Sequence, residues 1–323
     1  MSDYKKQKEF KKTIEEFWMR FPKKYYRGNS MNINVSGDYI YESKNTSESY
    51  MVNGMEDCKY TQFVTLKGSK DCFDYTSWGN GAELIYECYV TGEGAYNNKF
   101  SVECWPNSQN IEYSLYCINC KDCFACINLK KKQYCILNKQ YTKEEYFKLK
   151  ERIISDMKKN PWKNKAGHIY NYGEFLPPEL SPYGYNESLS SEYKDVYKDK
   201  AVNSGFNWYD IVKKEYNITL SSDNIPDSIL NTNESIKDEV IECEFCKRGF
   251  NISDLELELL IKISQPVPHK CSNCRHKRRF SRTNTPNFYN RNCDKCGIDI
   301  KTSYAPDRPE IVYCEKCYQQ EVY

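Results

Sequence analysis

The chain has 323 residues, 28% of them charged and 39% hydrophobic, with a mean hydropathy of -0.83 and a formal charge of +2. That length suits two or three domains and a sizeable core, and the polarity describes a water-exposed protein. No run of about 18 apolar residues occurs and residues 1–20 lack an apolar segment of signal-peptide length, which argues against membrane insertion and secretion. A cytoplasmic address follows. In that reducing setting the 17 cysteines, an odd number, read as metal ligands or buried thiols rather than as a disulfide framework.

Residues 4–20 place Phe10, Ile14, Phe17 and Trp18 at helical spacing opposite charged positions, which predicts an amphipathic helix. Through Arg27 this arm carries nine Lys or Arg against four Asp or Glu. From Asp38 to about Asn138 short alternating runs are broken by Gly, Asn, Ser and Asp. Aromatic residues recur at Tyr60, Phe73, Tyr86, Phe100, Tyr113, Phe124 and Tyr134, at separations of 13, 13, 14, 13, 11 and 10. A short repeat in which each unit holds one strand and one turn is the mark of a β-solenoid. Cys58, Cys72, Cys88, Cys104 and Cys117 keep nearly the same beat, as a ladder with one small apolar residue per rung would. Cys117, Cys120, Cys123 and Cys126 recur at every third residue, a spacing also used by iron-sulfur proteins. The run lacks the longer last interval and the Cys-Pro that such a cluster wants, so a solenoid corner is the preferred reading and a metal there is left open.

Thr142 and Glu145 form a capping box that opens a helix to about Lys159, its stripe being Tyr146, Leu149, Ile153, Ile154 and Met157, well placed to cover the solenoid's open end. Residues 161–240 form a connector rich in proline and tyrosine, with short helices expected near 192–205 and 228–239. The expected organisation is an arm over 1–27, a solenoid-like domain with its capping helix over 28–160, the connector over 161–240, and two small modules over 241–284 and 285–323.

Those modules carry the chemistry. Four Cys-x2-Cys pairs, Cys243/Cys246 with Cys271/Cys274 and Cys293/Cys296 with Cys314/Cys317, are separated within each set by 24 and 17 residues. Two residues between cysteines let a tight knuckle aim both sulfurs at one ion, and four thiolates complete a tetrahedron. No position is left for water or substrate, so two structural zinc ions are expected. Eight thiolates bring minus eight and two zinc ions plus four, which takes the formal +2 to about -2 and removes the case for a globally basic protein. In the first module Ser253 should cap a helix whose Leu255, Leu259, Leu260 and Ile263 pack behind the metal, and a further helix should open at Cys271. In the second, residues 298–305 and 310–314 should pair as a hairpin, and Cys314 should begin a last helix.

The run Cys135-Ile-Leu-Asn-Lys-Gln-Tyr-Thr-Lys-Glu-Glu-Tyr146, the block Pro177-Pro-Glu-Leu-Ser-Pro-Tyr-Gly-Tyr-Asn-Glu187 and the tail from Thr302 to Cys317 resemble an uncharacterised zinc-ribbon family of small-genome, uncultured bacteria. Cys243 to Arg275 is similar to treble-clef zinc ribbons. The resemblance implies fold and zinc; it implies no activity. The fold class expected is mixed and mainly β, a solenoid-like domain followed by two zinc-ribbon modules.

From Lys270 to Arg291 there are seven Lys or Arg and no Asp or Glu. On a helix from Cys271, Arg275, Arg278, Arg279 and Arg282 share one face and could meet phosphates, with Phe280, Phe288 and Tyr289 as stacking candidates. The opposing reading is that these arginines screen the negative metal centres. The leading functional expectation is a non-enzymatic protein that binds RNA, DNA or a ribonucleoprotein through this face. Alternatives are a protein-protein adaptor using residues 170–210, or a solenoid enzyme acting on carbohydrate through Asp71, Asp74, Tyr75 and Glu87. No common nucleophile, phosphate-loop, metalloprotease or dinucleotide motif is present, which argues against catalysis.

Overall fold

The computed structural model describes residues 2–210, 212 and 214–322. It is mixed and mainly sheet: a β-solenoid of about nine turns, seven α-helices and two clusters of four cysteines. The chain divides into two compact units. One holds residues 1–23, 210–284 and 309–312, the other 24–209, 285–308 and 313–323. The first cysteine quartet therefore belongs to one unit and the second to the other. No helix of the described residues is long and apolar enough to cross a membrane.

In the larger unit, parallel pairing runs from Ile33–Tyr41 through Lys44–Asn53, Met55–Glu56 and Ser69–Gly79 to Glu83–Gly92. Single bridges carry it on to Gln109–Glu112, Lys121–Phe124 and Gln133–Ile136. The antiparallel strand Lys139–Gln140 finishes the ladder. Aligned residues lie 11 to 14 apart, as in Ile33 with Lys44, Lys59 with Phe73, Phe73 with Tyr86 and Glu112 with Phe124.

The turn is built in threes. Asn107, Asn110, Tyr113, Tyr116, Asn119, Asp122, Ala125 and Asn128 all take positive φ, and the residue after each corner points inward. Such a conformation costs a non-glycine residue on the order of 1 kcal/mol, so the corners persist only because the ladder holds them. Asn and Asp tolerate it best, and they stack on one edge: Asn97 donates to Asn110 and Asn110 to Asp122, each at 2.8 Å. Many inward positions of this turn take small side chains, beside larger ones such as Tyr75, Ile85 and Ile111. Ser101, Ser108 and Ser114 donate to the carbonyl two residues back, at 2.7, 3.4 and 2.9 Å. All nine solenoid cysteines do the same, from Cys58 to Glu56 at 3.1 Å to Cys117 to Leu115 at 3.6 Å. These serine and cysteine hydrogens are thus satisfied close to their own corner, and Ser108 also reaches the next turn at the Cys117 carbonyl, 2.8 Å away.

Two expectations need correction. The cysteines do not form one column: Cys72 stacks on Ile85, Cys88 on Tyr75, and Cys123 on Cys135. The triplet offers several inward positions per turn, and a small thiol suits any of them. The aromatic beat likewise spans several columns, since Tyr86 aligns with Lys99 and Phe100 falls at the next corner. Phe73 and Tyr86 are exposed on the outer wall whereas Phe100 and Phe124 are buried. Cys117, Cys120, Cys123 and Cys126 occupy successive inward positions of one turn, each fully buried. Among the described residues they form no group of three or more convergent ligands.

Helix α1 spans Tyr4–Trp18 and buries none of its residues, leaving Phe10, Phe17 and Trp18 exposed. Helix α2, Lys143–Lys159, begins with the expected capping box. Its stripe packs on Phe124 and Ile136 of the last turns. Lys150 of α2 reaches the buried Glu112 at 3.0 Å, and Tyr172 of the connector donates to the same carboxylate at 2.9 Å. The connector is laid on the solenoid here, Tyr172 meeting Phe100 and Tyr113. The two helices expected after it are broken. The first is α3, Ser190–Tyr193, and α4, Lys198–Asn203; the second is a pair of 3-10 turns, Ile229–Asn231 and Glu234–Asp238. Those turns bring Ile229 and Ile236 into a core with Ile241, Ile252, Leu257 and Val267 in the smaller unit.

If the interior is a packed column of interchangeable small donors, Cys120→Ser should cost no more than about 1.5 kcal/mol, because Ser108 in the turn beneath already makes the same bond. Cys120→Leu should cost about 3 kcal/mol by overpacking. Equal denaturation midpoints for the two variants would refute the packed column.

Candidate metal centres

Each quartet is assembled from a knuckle and a helix start. In the first, the strands Ile241–Glu242 and Gly249–Phe250 flank Cys243-Glu-Phe-Cys246. The Cys243 amide donates to the Arg248 carbonyl at 2.9 Å and the Lys247 amide to the Cys243 carbonyl at 3.1 Å, which closes the knuckle. Lys247 takes φ of 61°. The second knuckle repeats this between Tyr289–Asn292 and Asp299–Thr302, with Cys293 to Ile298 at 2.8 Å and Gly297 to Cys293 at 2.9 Å. Gly297 sits at the position of Lys247 with φ of 74°, a conformation glycine adopts freely. The other pair of each quartet opens a helix: Cys271 caps α6, Ser272–Phe280, and Cys314 precedes α7, Glu315–Val322.

The sulfurs converge. Within each quartet all four lie within 4.8 Å of one another, and Cys246 to Cys271 and Cys296 to Cys314 are both 3.7 Å. Four sulfurs placed tetrahedrally at 2.3 Å from an ion stand about 3.8 Å apart, whereas a disulfide would need about 2 Å. All eight cysteines are free, so the geometry is that of a metal cage and not of a cross-link. The amides of Cys271 and Cys314 each donate to the first knuckle sulfur, Cys243 and Cys293, at 3.3 Å. Burial pushes the Cys243 thiol up, but the amides of Cys246, Cys271 and Phe245 outweigh it and bring it down to about 6. Cys293 is treated alike, with Cys314, Cys296 and Lys295 as donors, and again comes to about 6. The charge that four sulfurs share is thus partly met by oriented backbone dipoles before any ion is considered. These two quartets are groups that could hold metal ions.

The surroundings depart from the sequence reading in two places. Helix α5, Asp254–Lys262, is capped by Ser253 as expected, but Leu257 is its buried residue while Leu255, Leu259 and Ile263 are 78%, 53% and 50% exposed. The nine-residue helix turns its Leu257 side into the isoleucine core instead. The hairpin expected from 298–305 and 310–314 is replaced by the pairing across the knuckle, and the Tyr313 carbonyl accepts from the Tyr25 amide at 3.0 Å.

Helix α6 carries the arginines, in the same unit as α1. Arg275 is held by Glu256 of α5 at 2.6 Å and is partly buried. Arg282 is paired with Glu15 of α1. Arg278 and Arg279 are exposed on the helix surface. Sequence reading missed the contribution of α1. Tyr4 stacks on His269 at 3.6 Å and donates to Glu244 inside the knuckle at 2.7 Å, and Lys8 reaches Glu244 at 2.9 Å. Lys11, one turn further along, is pushed below the usual lysine range by burial and then by Arg278, Arg282 and Lys270, against which Glu15 pulls. A cationic cluster therefore spans both helices. The signal available in advance was the nine-to-four excess of basic residues in the arm.

Of the carboxylates considered for catalysis, Asp74 and Glu87 come together on the outer wall, and Glu174 of the connector acts on Glu87 as well. Asp74 and Glu87 follow one another up an outer corner column, each pushed up by burial and Glu87 also by Asp74, while Tyr75 is turned inward and fully buried. Comparison with protein-family models, curated proteins and solved structures finds no match.

Metal analysis of chain purified under reducing conditions should give two ions per molecule. Cys274→Ser should lower this by one ion. A wild-type content near zero, with the fold intact by circular dichroism, would contradict the cage geometry.

Proposed function

We propose that the chain is a non-enzymatic zinc protein that binds nucleic acid through the basic surface shared by α1 and α6. Zinc is the ion that best suits a closed set of four thiolates at tetrahedral spacing, since it has no redox chemistry and tolerates all-sulfur ligation. Bound there, it would organise the knuckle and the helix start and supply no open position for chemistry. The treble-clef resemblance of residues 243–275 agrees with a knuckle joined to a helix.

The observation that carries the nucleic-acid reading is the exposed basic surface of α6 beside α1, where Arg278 and Arg279 face solvent, Arg282 reaches Glu15 of α1, and Lys11 feels the positive charge of Arg278, Arg282 and Lys270. A surface rich in cations attracts an anion, and a phosphate backbone is one that offers many oxygens at fixed spacing. The ion pairs narrow the contact set. Arg275 and Arg282 already have carboxylate partners, so Arg278 and Arg279 are the side chains best free to reach phosphate. Screening of the metal centre remains the work of Arg275 and its neighbours in this account. A cytoplasmic setting, in which thiolates stay reduced, belongs to the same reading.

The test is a titration of single-stranded RNA at several salt concentrations. Arg278→Ala/Arg279→Ala should weaken binding about tenfold at low salt and reduce the slope of log K against log salt by about 1.4, two phosphates at 0.7 each. Unchanged affinity and slope would sink the proposal.

A further inference from the structure

A cleft of about 140 Å³ lies within the larger unit, lined by Tyr25, Tyr26, Phe288, Gly37, Glu48 and Lys301, with Val35 and Ser36 completing its wall. It exists because the first solenoid turn is irregular. The pairing of Ile33–Tyr41 with Lys44–Asn53 slips between Val35 and Gly37. Gly37 takes φ of 136°, and a Cβ there would stand 1.9 Å from the Ser49 carbonyl oxygen. No side chain other than hydrogen fits, so the bulge that shapes this wall is specified by one glycine. Bulges of this kind often re-aim side chains beside binding sites.

The lining combines three aromatic side chains with a compact polar edge. Three aromatic rings come from two distant stretches of chain. Lys301 holds both oxygens of Glu48, at 2.7 and 2.6 Å, so the edge carries a donor and an acceptor yet no net charge. The Ser36 hydroxyl oxygen accepts from the Glu48 amide at 3.0 Å, which leaves its own proton free to turn into the space. A charged ligand gains little here. A neutral ring with carbonyl and N-H groups on one edge gains stacking on its faces and hydrogen bonds on that edge. Size then chooses among rings, because a cavity of roughly 150 Å³ holds one benzene and a fused bicyclic purine is larger.

We propose that this cleft binds a single pyrimidine base of an unpaired nucleic-acid strand, with Phe288 and the two tyrosines as stacking surfaces and Lys301, Glu48 and Ser36 reading its edge. The choice of a base over other small rings rests on the nucleic-acid reading above. The cleft's shape and polarity do not.

The probe is free uridine, which has no phosphate and so cannot report on the arginine helix. Titrated into the full chain and followed by amide chemical shifts, uridine should bind saturably and adenosine about tenfold more weakly. Phe288→Ala should weaken uridine about tenfold by removing a stacking surface. Lys301→Met, which keeps the stem of a half-exposed side chain, should weaken it several-fold while metal content stays the same. Four results would overturn the inference: no saturable uridine binding, equal binding of adenosine, tighter binding of N-acetyltyrosinamide, or indifference of uridine to both substitutions. Failure with uridine while RNA binding still depends on Arg278 and Arg279 removes the base site alone. Uridine binding alongside RNA binding indifferent to those arginines leaves the base site standing and removes the phosphate surface.

Discussion

This molecule puts sulfur to two uses, packing inside the solenoid and convergence in the two quartets. Inside the solenoid, nine cysteines are hydrogen donors, each giving its S-H to a carbonyl two residues back. In the two quartets the first knuckle sulfurs, Cys243 and Cys293, each accept from the backbone amide of a helix-start cysteine. All 17 cysteines of the chain lie either in the solenoid interior or in a quartet. Burial alone raises a thiol's pKa and keeps it protonated, as at Cys88, pushed up to about 12. At Cys243 and Cys293 the knuckle points several amides at one sulfur, and there the balance turns towards the thiolate that a metal needs.

The same knuckle appears in both units, so its recurrence is a property of the local sequence rather than of its neighbours. What differs is the material built around it. The first knuckle is gripped by α1 through Tyr4 and Lys8 and backed by an isoleucine core drawn from the connector. The second stands in the solenoid's unit, where Ser303 reaches the fully buried Asp38 and Thr302 donates to the Tyr25 carbonyl at 2.7 Å. Arg27 completes that anchor, its amide 2.7 Å from the Asp38 carboxylate and its guanidinium over the rings of Tyr39 and Tyr304. On the proposed account the first module presents cations and the second helps wall a base-sized cleft, with the ions holding each surface in shape.

Short-range physics was legible in the sequence. The Cys-x2-Cys pairs, the capping box of Thr142 and Glu145, the Ser253 cap and the start of α6 at Cys271 are each decided by residues within a few positions of one another, and all appear where their spacing put them. The period of the solenoid was legible too, but not its register. Positive φ at Phe100, Tyr113 or Val90 is imposed by the ladder and has no residue-type signature, so aromatic spacing mixed several columns into one. Long-range partners were hidden for the same reason. Nothing near Arg275 or Arg282 names Glu256 or Glu15 as their carboxylates, and nothing near Phe288 indicates a bulge at Gly37.

The central claim is that two closed sulfur cages hold zinc and leave no site for reaction. X-ray absorption at the zinc edge, on protein as purified, tests it most directly. The account predicts four sulfur neighbours per zinc at about 2.3 Å and no nitrogen or oxygen in the shell. A shell with fewer sulfurs and a bound water, or an iron edge in place of zinc, would contradict it.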